Sequence, residues 1–303
     1  MYGIKSFEIS KISANGILQT PDLVVIEEPL EIRLGYGEEQ NRQQKSISVT
    51  MRTPTGHDFE LALGFIFTEN IISKFEDILS IHYCTDAGNQ AEQNIVRVEL
   101  KPQVNFDSQR FERHFYATSS CGICGKASIE AIQQHCSILP KNDFKVSAEF
   151  IQSLPKILKE KQLFFQHTGG LHAALIHSPS PTHRTVINGG SIEISEGNPN
   201  SPLGVGGILL REDIGRHNAL DKVIGSAFQQ NLLPLSNVVL LMSSRASFEL
   251  IQKAAMASIS IMACIGSPSS LAIGTARELG LTLIGFLRDE SFNIYSGEER
   301  IVL

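Results

Sequence analysis

The chain has 303 residues, with 26 Lys and Arg against 32 Asp and Glu, a formal charge of −6, five cysteines and no tryptophan. At 42% hydrophobic and 19% charged it has the composition of a folded globular protein, long enough for one large domain or two modest ones. The acidic balance excludes a global basic field, so neither nucleic acid nor an anionic membrane is expected as a partner, while small anionic ligands need only a local site.

Five cysteines are too few, and odd in number, for a disulfide framework. Met1 to Ser10 carries Lys5 and Glu8 and no long apolar run, which predicts no secretory signal. The uncharged stretch Ala254 to Ala276 is split by Ser267, Pro268, Ser269 and Ser270, so it reads as helix end, buried strand, turn and next helix rather than a span. A soluble, cytoplasmic protein with reduced thiols is the expectation.

In chain order, Pro29–Leu34 and Ser46–Met51 predict strands, with the polar run Glu38–Lys45 as a loop between them. Thr55 followed by Asp58 resembles a capping box and predicts a largely buried helix to about Ile71. Asn94–Leu100 alternates like a half-buried strand; Lys101–Ser120 has no period and reads as an irregular arm. Ala127–Ile138 predicts a helix, with Cys136 on the apolar face formed by Ile129 and Ile132. Strands are then expected at Ala173–His177, Gly207–Arg211, Val238–Met242, Ser260–Ile265 and Leu281–Leu287, with Ser191–Gly206 a surface loop. Helices fall at Asn218–Gln229, Ser247–Ser258 and Ser270–Leu279. This alternation predicts an α/β class, a partly parallel sheet flanked by helices, with its ligand beyond the carboxyl ends of the strands. The division expected is 1–120, strands, helix and arm, followed by an α/β core over 121–303.

Four clusters could carry chemistry. In Ser119–Lys126 (SSCGICGK), Cys121 and Cys124 stand three apart before a helix, where the helix dipole and Lys126 favour a thiolate. A tight structural turn, half a zinc site completed by His135 and Cys136, and thiol chemistry all remain open for this pair. Deamination does not fit, because the required His-x-Glu is missing. Arg211–Asn218 (REDIGRHN), followed by Asp221 and Lys222, reads either as a polar site with Arg216 facing an anion or as a salt-bridged, capped turn. Ser243-Ser244-Arg245-Ala246-Ser247 offers hydroxyls and a cation between strand and helix, a weak phosphate cradle without P-loop spacing. Finally, His167 and His172 flank the Gly169-Gly170 turn.

Taken together and in this order, these segments resemble the FdhD family of formate dehydrogenase accessory sulfurtransferases. The resemblance runs through Met51–Pro54, Leu61–Glu69, Ser120–Gly125, Thr168–Ala174, Arg211–Gly225, Ser244–Lys253 and Leu281–Arg288, of which REDIGRHNALDK is the most specific. It implies a cytidine-deaminase-like α/β core without deaminase catalysis and a smaller N-terminal α+β subdomain. The activity implied is that of a sulfurtransferase, a persulfide carrier that takes sulfur from a cysteine desulfurase. Its cargo would be the molybdenum cofactor, a bis(molybdopterin guanine dinucleotide), destined for formate dehydrogenase. Cys121 would bear the persulfide, with Cys124 its companion and no resident metal. The guanine-nucleotide end of the cargo would lie at Phe286, Leu287, Arg288, Asp289, Glu290 and Ser291, with Arg216, His217 and Arg245 toward its phosphates. A homodimer is compatible with this. One departure is that Ser243-Ser244-Arg245 stands where members often have Ser-Gly-Arg. A reading of another class is a non-covalent cofactor-binding chaperone with structural cysteines.

Overall fold

The computed structural model describes residues 3–84, 92–107, 138–140, 142–179, 185–188, 191–194, 203 and 207–303. The expected boundary at 120/121 and the helix at Ala127–Ile138 with Cys136 fall outside these residues, except for Ile138.

The chain opens with an antiparallel hairpin, β1 (Ile4–Ser13) and β2 (Gly16–Val25), most of whose side chains are exposed on both faces. A four-stranded sheet follows in the order β4-β3-β6-β5, built from β3 (Glu28–Tyr36), β4 (Gln43–Arg52), β5 (Ile78–Tyr83) and β6 (Ile95–Leu100). The expected loop at Glu38–Lys45 is shorter, because β4 begins at Gln43. Along β6 the alternation Val96, Val98, Leu100 turns one face inward, where those side chains are fully buried.

Helix α1 (Asp58–Thr68) packs on that inner face and is apolar around most of its circumference, as a helix covered on two sides must be. It ends three residues earlier than expected, and its N-cap is His57. Thr55 does not cap it: its hydroxyl instead accepts a hydrogen bond from the buried ammonium of Lys222, 3.2 Å away.

After β7 (Val146–Ser147) come α2 (Ala148–Lys161) and α3 (Leu163–Thr168). The Ser147 hydroxyl caps α2 by accepting from the Phe150 N–H, and Phe150, Ile151, Leu154 and Leu158 form its buried stripe. A six-stranded mixed sheet dominates the rest, in the order β11-β8-β12-β13-β14-β15. It contains β8 (His172–His177), β11 (Ile208–Asp213), β12 (Val239–Met242), β13 (Ile261–Cys264), β14 (Thr282–Gly285) and β15 (Asn293–Ser296). The strands β9 (Thr185–Asn188) and β10 (Ser191–Ile194) pair as a separate hairpin, so Ser191–Ile194 is strand and not the expected loop. A last short strand, β16 (Ile301–Val302), lies parallel to β7. Helices α4 (Arg216–Gln229), α5 (Phe248–Met256) and α6 (Ser270–Leu279) connect the later strands.

The period of two divides the buried apolar residues of the large sheet between two layers. Ala173, Leu175, Val239, Leu241, Ile261 and Ala263 face α2. Ala174, Ile176, Leu240, Met242, Met262 and Cys264 join the helices α4, α5 and α6 together with α1 and the four-stranded sheet, so both sheets share one core. Two glycines let α1 and α4 cross in near-contact. A Cβ on Gly64 would lie 1.8 Å from the Asp221 carbonyl oxygen, and one on Gly225 would lie 1.8 Å from that of Glu60. No side chain fits either point, which explains a glycine in the interior of each helix despite its propensity cost. Among the described residues no helix is long and apolar enough to cross a membrane.

Candidate functional site

The strands β11, β12, β13 and β14 all end at one edge of the large sheet, and β8, antiparallel to β11 and β12, begins there. Asp213 pairs across from His172, and Met242 from Ala174, which fixes the β11–α4 turn, His172 and the β12–α5 loop at this edge. The N-termini of α4, α5 and α6 converge on it, the end of a helix at which unpaired N–H groups favour negative charge. Ser269 caps α6 by accepting from the Ala272 N–H, whereas Gly215 and Ser247 supply no side-chain cap to α4 and α5.

Most of the REDIGRHNALDK motif turns inward. Arg211 forms a forked ion pair with Glu60 of α1 and also donates to the Ser226 hydroxyl at 3.0 Å. The Glu212 carboxylate accepts the N–H groups of Phe164 and Phe165, at 3.0 and 2.9 Å, and so holds the start of α3. Asp213 and Lys222 are fully buried and paired at 2.6 Å. Lys222 further donates to the Thr53 carbonyl at 3.3 Å, and Asp213 accepts from the N–H of Gly215 at 2.9 Å and the Asn218 amide at 3.0 Å. Asn218 donates as well to the Met51 carbonyl, 2.8 Å away, lashing β4 to the turn. Asp221 accepts from Lys253 at 3.0 Å and from the Thr68 hydroxyl at 2.9 Å. Burial alone would lower the Lys253 pKa, but Asp221 and Glu69 outweigh it and raise it, so the ammonium stays charged. A salt-bridged turn is therefore what these residues build, held by Asp213 but without the expected side-chain cap on α4.

Arg216 and His217 are the part of the motif left facing the edge, both half-buried. The Arg216 Nε is buried and has no hydrogen-bond partner among the described residues. His217 approaches the Ser247 hydroxyl at 3.4 Å and the Glu249 carboxylate at 4.0 Å. Burial, then the charges of Arg216 and Lys253, push its pKa down to about 4, so at neutral pH it offers hydrogen bonds and no charge. His172, also half-buried, is depressed by burial and by Arg216, against Asp213. Its sequence partner His167 is exposed on α3 and no part of the edge.

The next loop presents Arg245, exposed, between two buried residues, Ser244 and Ala246. Ser243 is consumed by structure: its hydroxyl accepts from the Ala173 N–H at 2.8 Å and its own N–H donates to the Ala173 carbonyl at 3.0 Å. Ser244 sits outside the left-handed region, so serine meets no backbone penalty at this position.

The β14–β15 loop completes the row. Phe286 is 44% exposed and has φ of +52°, a conformation that strains a bulky side chain by about 1–3 kcal/mol. Arg288 is exposed, with its Nη1 committed at 2.7 Å to the carbonyls of both Ile265 and Leu287. Asp289, Glu290 and Ser291 are exposed. Leu287 is fully buried in the α2-side apolar layer, so its side chain is core and unavailable to a ligand. Cys121, Cys124 and His135 lie outside the described residues. Among the described residues no group of three or more His, Cys, Asp or Glu is arranged to hold a metal.

The edge is thus lined by three arginines, an aromatic side chain and two helix starts without side-chain caps, suited chemically to an anionic ligand bearing a ring. The FdhD/NarQ family model matches residues 25–187 and 204–302. A protein of Mycolicibacterium paratuberculosis named sulfur carrier protein FdhD is 42% identical over 296 residues, covering 97% of each chain. One of the same name from Saccharolobus solfataricus is 35% identical and covers 98% of each. A crystal structure of a putative formate dehydrogenase accessory protein from Desulfotalea psychrophila superposes with a TM-score of 0.66 over 99% of both chains. At 22% identity, it shows the shared fold alone.

Proposed function

The chain belongs to the FdhD/NarQ family, and on that premise we propose that it is a sulfurtransferase of the persulfide-carrier kind serving formate dehydrogenase. The observation that supports this most is its near full-length relation to proteins named sulfur carriers, at 35–42% identity. In this reading the Cys121 thiolate attacks the outer sulfur of a cysteine desulfurase persulfide. The new S–S bond forms on Cys121 and the desulfurase leaves as its thiolate. The cargo is the bis(molybdopterin guanine dinucleotide) molybdenum cofactor, whose phosphates and base seat along the edge of Arg216, Arg245, Arg288 and Phe286, with His217 donating a hydrogen bond. If the Cys124 thiolate then attacks the inner sulfur, the two cysteines close a disulfide and the outer sulfur departs toward the metal as sulfide, which balances the electrons.

The order of the first five strands in the large sheet, 2-1-3-4-5 when numbered along the chain, supports a cytidine-deaminase-like description of the core. Residues 1–120 are read as the subdomain that buttresses it, and the cytoplasm as the compartment in which such thiols stay reduced.

Intact-mass analysis after incubation with a cysteine desulfurase and cysteine tests the chemistry. A gain of one sulfur, lost on reduction and absent from Cys121→Ala, is expected. A Cys121→Ala protein that still supports active formate dehydrogenase would overturn it in favour of a non-covalent cofactor-binding chaperone.

A further inference from the structure

The loops that follow β12, β13 and β14 are laced together by their main chains. Gly266 N–H donates to the Ser244 carbonyl at 3.2 Å, Ala246 N–H to Ser267 at 3.2 Å, and Ser269 N–H back to Ala246 at 3.0 Å. One loop further, Phe286 N–H donates to the Gly266 carbonyl at 3.0 Å, and Arg288 Nη1 to that of Ile265 at 2.7 Å. Gly266 stands at the centre of this lacing. Its φ is outside the left-handed region, so conformation does not demand glycine there. Space does: a Cβ at 266 would lie 2.9 Å from both the N and the Cα of Arg245 and 2.8 Å from its Cγ. Main-chain atoms cannot swing aside as the end of a side chain can, so any larger residue must push the Arg245 loop away.

Resting on the edge as the seat of the cargo's nucleotide, we infer that Gly266 is a positioning residue, whose missing side chain locks the Arg245 and Phe286 loops into one rigid rack. The base-stacking ring and the arginine beside it then keep a fixed spacing before any ligand arrives, which reduces the ordering cost of binding. Gly266 acts through Arg245 and touches no ligand itself.

A double-mutant cycle on the full chain separates this role from mere folding support. Titration calorimetry with guanosine diphosphate would compare the parent protein, Gly266→Ala, Arg245→Ala and the double variant, each confirmed folded by circular dichroism. If Gly266 works by placing Arg245, Gly266→Ala weakens binding by about tenfold and loses most of that effect once Arg245 is gone. Additive losses, or a Gly266→Ala protein that binds like the parent, overturn the inference while leaving the nucleotide seat intact. A parent protein that does not bind guanosine diphosphate overturns the seat itself, and the inference with it. Pro268 bridges to Ala246 between the same two loops, so should Gly266→Ala fail to fold, Pro268→Gly loosens the same rack without adding bulk. Its loss should also be non-additive with Arg245→Ala, and an additive or absent loss counts against the rack.

Discussion

Lys222, inside α4, and Arg245, in the loop after β12, are both cations near one edge of the same sheet, and they do opposite work. Lys222 is wholly buried, paired with Asp213 at 2.6 Å and bonded to the segment around Thr53 and Thr55. Arg245 is exposed on a loop held by main-chain bonds. The first binds the chain to itself: it ties β4 and the start of α1 to the β11–α4 turn. The second is presented by a frame that does not depend on its charge. A motif dense in charged residues can therefore be mostly scaffold, with two residues, Arg216 and His217, facing outward.

The largest effect should come from breaking the scaffold. Lys222→Met leaves the Asp213 carboxylate buried without its counter-ion and should cost about 3–5 kcal/mol in urea unfolding. A loss below about 1 kcal/mol would place this pair among weakly contributing bridges. Arg245→Ala should sharpen the contrast from the other side. Stability should stay within about 0.5 kcal/mol of the parent. Affinity for guanosine diphosphate should fall roughly tenfold, as for the loss of one charge-assisted hydrogen bond. Equal affinity would remove Arg245 from the seat.

A separate effect lies in acid. His217 titrates at about 4 in the fold, below its ordinary 6.5, so the unfolded chain binds the extra proton first and stability falls as pH drops from about 6.5 to about 4. Burial would raise Glu60, yet hydrogen bonds from Arg211 and His57 hold it at about 2, so its contribution is lost between its ordinary 4.5 and about 2. Melting temperature against pH should therefore lose its upper slope in His217→Gln and its lower slope in Glu60→Gln. Unchanged slopes would deny these groups their shifted titration.

Where local pattern and tertiary environment agree, the fold was legible. Ser270–Leu279 is a helix over the residues expected, because Ser269 caps its start and Gly280 ends it in the left-handed conformation. The later strands are found within one or two residues of expectation, each a short apolar run buried on both faces. The β1–β2 hairpin was not legible, since exposure on both faces leaves no inward-facing alternation to read. Helix α2 was hidden by Pro155 in its interior and by a lysine-rich second half. At the edge, residue types pointed to anion chemistry, but which charges turn inward depends on partners far along the chain. Asp213 meets Thr53 and Asp221 meets Thr68, contacts that no local spacing encodes. Phe286 carried no sequence signal for its left-handed backbone, and nothing local marks Gly266 as the point where two loops meet.

Cys264 ends β13 with no exposed surface, and burial drives its thiol pKa far above the ordinary range. It is therefore protonated and shielded from reagents in the native state, a silent thiol as long as the core holds. Its accessibility to an alkylating reagent becomes a built-in gauge of folding. Sulfur or label found on it reports a core that has opened, so the native protein's thiol chemistry can be read free of its background.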